Sequence, residues 1–375
     1  MRIAILHNRD HHLLDDDPGR EAREDVVRVA AALEKALSGP KHTVTLIGVD
    51  RDIWAIGKAL EAARPDVVVN LCESLAADSR GEMVVPALLE MVGLPYTGNS
   101  ALALGLSLHK DKAKELLSAR SVPTPQFQLV RSVAELISFT LPFPLIVKPA
   151  REDASVGIDF DAVVHDRAGL GKAVSRVLRT FRQPALVERY IDGREIYVPL
   201  LGNNPRRALP LTEIHYGKAF ENRPRVLTYK AKWDEASAEC QDSAAKPAQL
   251  SPALERRCIE TAMAAWEALE CRDYGRVDLR VDRDGQPFVI DINPNCDLHP
   301  SSGFAKAAAA AGIGYPDLAW HLIELAQERS HGNSAPEANR STAARRAVGP
   351  HRDVHPLRGG MRARAHRPRG HGNEP

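Results

Sequence analysis

The sequence predicts an α/β domain followed by an α+β body, and three patterns carry that reading. Over residues 1 to about 105, strand-like and helix-like apolar runs alternate, the rhythm of a parallel sheet covered by helices on both faces. Residues 184–195 read as strand, Asp-Gly turn and strand, which is antiparallel. Residues 276–293 alternate apolar and polar side chains on two arms around Asp284 and Gly285, a second antiparallel hairpin.

In chain order, Arg2 to His7 is an apolar run, and Ala22 to Leu37 sets Val26, Val29, Ala30, Leu33 and Leu37 at helical spacing. Thr43 to Val49 reads as strand, Ile53 to Ala63 as a short helix, and Asp66 to Leu71 as a third buried strand. The polar segment His11 to Gly19 lies at the carboxyl edge of the first strand, where ligands of open α/β sheets bind. Its His and Asp spacing fits no standard metal site, so it reads as a solvated loop. No Gly-x-Gly-x-x-Gly follows the first strand, which disfavours a dehydrogenase-type dinucleotide fold. Glu73 and Glu82, beyond the third strand, are equally readable as loop caps or as carboxylates that grip an amine. A helix with Val84, Val85, Leu88, Leu89 and Val92 then leads to Tyr96, Thr97, Gly98 and Asn99.

Lys110 to Arg120 reads as a helix with Lys110 and Lys114 one turn apart, a spacing that usually marks a surface pair. A helix over Val133 to Phe139 precedes a strand, Phe143 to Pro149, with Lys148 embedded among apolar residues. Burying that ammonium is costly without an anion, which makes Lys148 a phosphate-binding candidate. The small polar residues 150–157 read as a loop over phosphates, and Gly169 to Phe181 as a helix. Glu188 and Glu195 stand at the ends of the strand-turn-strand, suited to an adenine held by backbone and a ribose held by carboxylate. Leu209 to Tyr216 and Val226 to Trp233 are expected to continue the antiparallel sheet, and Ser251 and Pro252 to open the helix Ala253 to Leu269. After the hairpin come a loop with Cys296, Asp297, His299, Ser301 and Ser302, then helices over Phe304 to Ala311 and Tyr315 to Gln327.

The hairpin commits the chain to chemistry. If its turn closes at Asp284 and Gly285, Asp278 lies across from Asp291 and Arg276 across from Asn293. On the opposite face Val277, Leu279 and Val281 meet Ile292, Ile290 and Phe288. Cross-strand Cβ atoms lie roughly 4.5–5.5 Å apart, so the two carboxylates repel unless a cation separates them. Oxygen-only ligands, two Asp and one Asn, suit Mg²⁺ or Mn²⁺ shared with phosphate oxygens. The plainer alternative is a solvated charged face with Arg280 neutralising one aspartate.

The bulk properties narrow the class. A chain of 375 residues has room for two or three domains, and its net charge of +1 argues against general polyanion binding. Apolar residues make up 44 %, with no run long enough to span a membrane, and the N-terminus lacks a signal-peptide pattern. Five scattered cysteines without a Cys-x-x-Cys pair fit a reducing compartment and exclude a zinc ribbon, so a cytoplasmic protein is expected. Beyond about Ser330 the chain turns rich in Arg, Gly and Pro, and residues 331–375 are expected to form a disordered basic tail.

Over roughly residues 1–330 these features resemble the ATP-grasp superfamily, and within it the D-alanine:D-alanine ligase family. The match rests on Tyr96 to Asn99, Lys110 with Lys114, Val147 to Pro149, Ser155 to Gly157, Val187 with Glu188, Gly193 with Glu195, Ala231 with Lys232, Tyr274 to Asp278, and Asp291 to Pro294. The resemblance implies an ATP-grasp fold: an N-terminal pre-ATP-grasp domain (1–105), a central subdomain (106–195) and a catalytic subdomain (196–330), with ATP between two antiparallel sheets. Lys110, Lys148 and Ser155 would contact phosphates, Glu188 and the backbone to Tyr190 the adenine, Glu195 the ribose, and Lys232 the γ-phosphate. Asp278, Asp291 and Asn293 would bind two Mg²⁺ or Mn²⁺ ions, with Asp291 where the family usually has glutamate. Arg276 would meet the oxyanion, and Ser302 with Gly303 the carboxylate of the second amino acid.

The departures fall on the first substrate. Ala154 stands where the family has serine, Trp233 follows Lys232 where it has tyrosine, and Asp153 replaces a glycine. The family's N-terminal glutamate has Glu21, Glu24 and Glu73 as possible counterparts. The resemblance thus implies an ADP-forming carboxylate–amine ligase for small-molecule amino acid and carboxylate substrates, whose first substrate need not be D-alanine. It also implies a possible homodimer, with no nucleic acid and no membrane as partner. D-alanine:D-alanine ligase proper, an ATP-grasp kinase and an ATP-binding protein without turnover are the alternatives.

Overall fold

A computed structural model describes residues 1–10 and 20–332, without the side chains of 20–24 and 331–332. The His11 to Gly19 loop, the side chains of Glu21 and Glu24 and the basic tail from 333 lie outside the described residues. Three sheets organise the rest.

The first is parallel: β1 (Arg2–Asn8), α1 (Arg20–Leu37), β2 (Thr43–Val49), α2 (Ile53–Ala63) and β3 (Val67–Leu71) give the strand order β2-β1-β3. Ile3, Ile5, Val67 and Val69 face one core, Ala4, Leu6 and Val68 the other, as in a sheet covered on both sides. Then follow α3 (Val84–Val92), α4 (Ala101–Leu108) and α5 (Lys110–Ala119). Lys110 and Lys114 are not a surface pair: they are 5 % and 3 % exposed.

The second sheet is antiparallel, in the order β4-β7-β5-β6, from β4 (Phe127–Val130), β5 (Leu145–Pro149), β6 (Val163–Val164) and β7 (Ala185–Arg189), with α6 (Arg167–Thr180) against it. Val133–Ser138 forms 3₁₀ turns rather than the expected α-helix. The third sheet runs β11-β10-β8-β12-β13, with β9 paired to β8. Its pieces in chain order are β8 (Arg194–Leu201), β9 (Arg207–Ala208), β10 (Thr212–Tyr216), α7 (Tyr229–Trp233), α8 (Ala238–Gln241), β11 (Ser243–Pro247), α9 (Pro252–Ala268), β12 (Tyr274–Val281) and β13 (Pro287–Asn293). α10 (Gly303–Ala310) and α11 (Tyr315–Gly332) complete the chain.

Three expectations fail here. The strand-turn-strand of residues 184–195 is not a hairpin: the turn at Asp192 and Gly193 carries the chain from β7 in the second sheet to β8 in the third, and the two strands do not pair. Val226 to Trp233 is not a strand: Thr228 accepts the Ala231 amide at 3.0 Å and caps α7, while Ser243–Pro247 supplies the edge strand. In the hairpin, Arg276 does pair with Asn293, Val277 with Ile292 and Asp278 with Asp291. Past a bulge, however, Leu279 pairs with Val289 and Val281 with Pro287, not with Ile290 and Phe288. One extra residue on β13 turns Ile290 out of the core face and into the cleft.

Candidate active site

Alternation along β12 puts Arg276, Asp278 and Arg280 on one face, a row about 13 Å long at ~3.3 Å per residue. The neighbouring β8 sets Tyr197 across from Asp278 and Glu195 across from Arg280. The start of β12 is tied to the first sheet by Asn99, whose Nδ2 donates to the carbonyls of Tyr274 (3.0 Å) and Pro294 (2.7 Å). Gly98 has φ +89° and its backbone passes so close to the Tyr274 ring that a Cβ would stand 3.3 Å from it, which accounts for glycine in that motif.

Each of the two aspartates has a cation of the protein's own against it. Arg276 donates Nε and Nη2 to Asp278 at 2.6 and 2.8 Å, and Asn293 Nδ2 donates to Asp278 at 3.1 Å. Lys110 Nζ reaches Asp291 at 2.9 Å and Asp153 at 2.7 Å. Burial raises the Asp278 pKa and outweighs Arg276, whereas at Asp291 Lys110 and then Lys148 overcome burial and lower it. The two carboxylates already hold positive charge, and with the Asn293 amide oxygen as a third hard donor the set fits Mg²⁺ or Mn²⁺. No group of three or more His, Cys, Asp or Glu that could hold a metal occurs among the described residues. A cation at this pair would therefore complete its shell with water or substrate oxygens.

At the far end of the row, Glu195 is enclosed by donors: Tyr197 at 3.0 Å, Tyr216 at 2.6 Å and Arg280 at 2.9 Å. Arg280 also donates to the carbonyls of Ile191 (3.0 Å) and Arg225 (2.7 Å) and to the Tyr190 hydroxyl (3.1 Å). Glu188 is 2 % exposed and held by Lys148 and Lys114, each at 2.6 Å. These lysines overcome its burial and hold its pKa below the usual range.

Two cavities meet over this floor. The first, with about 890 Å³ of empty space, lies between the second and third sheets and is lined by Lys110, Lys148, Ser155, Glu188, Tyr190, Glu195, Asp278 and Asp291. The second, about 1280 Å³, is lined by Glu73, Glu82, Trp233, Asp297, Ser302 and Gly303. Asp153, Lys232, Arg276 and Asn293 line both. Lys232 faces the cavities with its pKa lowered, first by desolvation among the surrounding walls and then by Arg276.

The roof between the cavities is the 150–158 loop, where Ala154 and Ser155 take φ of +54° and +62°. Successive left-handed non-glycine residues need outside support. Trp233 Nε1 donates to Ala154 O at 3.0 Å, and the Tyr229 amide to Ile158 O at 2.9 Å, so α7 holds the loop at two points.

The residues given a catalytic, nucleotide, metal or substrate role from the sequence line one cavity or the other, with the side chains of Glu21 and Glu24 outside the described residues. Three contributors escaped that reading. Lys114 backs Glu188, Arg280 is hydrogen-bonded to Glu195 rather than to an aspartate, and Asp297 lines the second cavity. Two of them left a signal: Lys114 stands one turn from Lys110, in a pair read as surface, and Arg280 two residues past Asp278 on the same strand face.

Comparison with known proteins agrees with this geometry. The family model described as D-ala D-ala ligase C-terminus matches residues 119–324. An uncharacterised protein of Sinorhizobium fredii is 41 % identical over 82 % of this chain and 89 % of its own length. D-alanine–D-alanine ligases of Carboxydothermus hydrogenoformans (30 % identical, 82 % of this chain, 95 % of theirs) and Pelotomaculum thermopropionicum (32 %, 83 % and 95 %) match nearly end to end. The solved D-alanine–D-alanine ligase of Bacillus anthracis superposes with a TM-score of 0.70 at 25 % identity, over 89 % of this chain and all of that one. With two antiparallel sheets enclosing the cleft and a parallel sheet beside it, the chain belongs to the D-alanine–D-alanine ligase family of ATP-grasp enzymes, ATP-dependent ligases that form C–N bonds.

Proposed function

We propose that the chain joins a carboxylate to the amine of an amino acid, with ATP converted to ADP. The observation that carries this is the wall common to both cavities: Lys232, Arg276 and Asn293 face the nucleotide cleft and the second cavity at once. With the triphosphate of ATP directed along Lys148, Lys110 and Lys232, a carboxylate in the second cavity attacks the γ-phosphorus and ADP leaves. An amine then attacks the carbonyl carbon of the acyl phosphate, loses a proton, and phosphate departs from a tetrahedral oxyanion beside Arg276. Such chemistry needs positioning and cations more than acid–base groups.

In this reading Ser155 contacts phosphate, Glu188 and Tyr190 border the adenine, and Glu195 takes a ribose hydroxyl. Asp278, Asp291 and Asn293 hold Mg²⁺ or Mn²⁺, which when bound supplies positive charge to phosphate oxygens. Ser302 and Gly303, at the N-terminus of α10, receive the carboxylate of the amine substrate. Asp153, Trp233 and Glu73 border the first substrate. The working form proposed with this is a cytoplasmic homodimer of three-domain chains divided near residues 105 and 195, the compartment supported by five free cysteines.

D-alanine is the second reading for both substrates, favoured by the names of the curated relatives. Against it stands the pocket roof, where Ala154 brings no hydroxyl and Trp233 gives its only donor to a backbone carbonyl. ADP release screened across D- and L-amino acids and small carboxylates, with products weighed by mass spectrometry, separates the two. Turnover requiring an acid other than D-alanine supports the first. Efficient D-alanyl-D-alanine formation establishes the second, and no ADP release with any pair overturns both.

A further inference from the structure

Glu188 has more positive charge around it than its burial requires. A buried carboxylate needs a cationic partner, and this one has two, Lys148 on Oε1 and Lys114 on Oε2, each at 2.6 Å. The two lysines are not equivalent. Lys148 comes from β5, lines the nucleotide cleft and keeps 12 % of its side chain exposed. Lys114 comes from α5, 3 % exposed, and takes no part in the cleft wall. It is fixed from behind: its Nζ donates to Thr124 Oγ1 at 2.8 Å, and that hydroxyl donates to Val289 O at 2.8 Å. Lys148 has its own second partner, Ile290 O at the longer distance of 3.3 Å, but it borders the cleft, whereas Lys114 does not.

We propose that Lys114 is a positioning residue for nucleotide binding: by holding Glu188 permanently from behind, it frees Lys148 to exchange that carboxylate for a phosphate oxygen. This rests on the reading that ATP occupies the cleft with Lys148 toward its phosphates. When Lys148 swings away, Glu188 stays compensated by Lys114, so the exchange strands no buried charge. Without Lys114, the whole attraction of Glu188 falls on Lys148, and a phosphate must compete with a desolvated ion pair.

The test is equilibrium binding of ATP and of adenosine to the full-length protein and its variants. Lys114→Met should weaken ATP by roughly ten- to a hundredfold, the loss of one charge-assisted hydrogen bond, and leave adenosine, which has no phosphate, unchanged. Adding Glu188→Gln to Lys114→Met should restore ATP affinity to that of Glu188→Gln alone, because no carboxylate then retains Lys148. Equal losses for ATP and adenosine would mark a merely structural role and overturn the proposal, as would failure of the double variant to recover. Should Lys114→Met not fold, the comparison of the double variant with Glu188→Gln still decides, since the buried charge and its counter-ion are removed together. Lys148→Met separates the two levels. If it weakens ATP while Lys114→Met does not, this inference alone falls; if it leaves ATP affinity unchanged, the phosphate assignment falls with it.

Discussion

Arg276 shows at the scale of one residue how the site is prepared. Its guanidinium is fixed by two bonds to Asp278 and lies 4.2 Å above the Tyr197 ring, on the wall common to both cavities. Lysine would keep the charge but lose the planar fork and the ring contact. Arg276→Lys should therefore slow ligation by about 10²–10³-fold, as removal of an oxyanion donor does, while changing ATP affinity much less. Equal losses in the two measurements would argue against the oxyanion role. Glu82 makes a second, pH-dependent case. Burial, reinforced by Asp153, raises its pKa well above 4.5, and Asn295 Nδ2 donates to it at 3.0 Å. A raised folded-state pKa contributes stability that is present below the unfolded value and lost as pH rises through the folded one. Glu82→Gln keeps the acceptor and never ionises, so its melting temperature should equal that of the parent near pH ~4 and exceed it by roughly 1–3 °C near pH ~8. A difference independent of pH would rule this out. Residues like these were legible as types and positions. Their partners were not, because Lys110 meets carboxylates at positions 153 and 291 that only the fold brings to it.

The hairpin shows why an element can be read correctly at one end and not at the other. A two-residue turn at Asp284 and Gly285 fixes one register, but the loop has three residues. The Asp282 amide bonds Gln286 O at 3.1 Å, and the Asp282 carboxylate accepts the amides of Asp284 (3.0 Å) and Gln286 (2.8 Å). That shifts the pairing by one residue, and the bulge beside Asp278 shifts it back, so the two aspartates face each other under either register. The faces near the turn differ, which is measurable. Val289 is 1 % exposed in the core, whereas Ile290 lines the cleft. Val289→Ala should lower unfolding free energy by about 2 kcal/mol, and Ile290→Ala by less than about 1 kcal/mol while weakening ATP binding. The reverse order in denaturant titrations would restore the simple register. The same physics hid β11, whose Ser, Ala, Lys and Pro residues are mostly exposed at a sheet edge and carry no apolar period.

At the scale of the whole molecule, the order of α/β and antiparallel regions was legible from apolar periodicity, but the way the chain returns on itself was not. One core joins Ile3, Ile5, Val67 and Val69 of the first sheet and Val29 and Leu33 of α1 to Phe304 of α10 and Leu318, Leu322, Ile323 and Leu325 of α11. More than two hundred residues separate the two sides of that contact, so no local pattern announces it. The first sheet consequently has one face covered by the end of the described chain. Four large buried side chains on α11, at about 1.5–3 kcal/mol each, represent a sum comparable with the whole stability of an ordinary domain, ~5–15 kcal/mol. The first sheet should therefore not stand alone. A fragment of residues 1–105 is expected to show no cooperative thermal transition, and a chain ended after Gly314 should lose near-native melting even though every residue of the ATP cleft remains. Far-ultraviolet circular dichroism and tryptophan fluorescence of the intact protein should report one coincident transition, since the shared core must break for either end to unfold. A cooperative melt of the 1–105 fragment would show instead that the first sheet is independent, and the C-terminal helices would then cover the sheet without being needed to fold it.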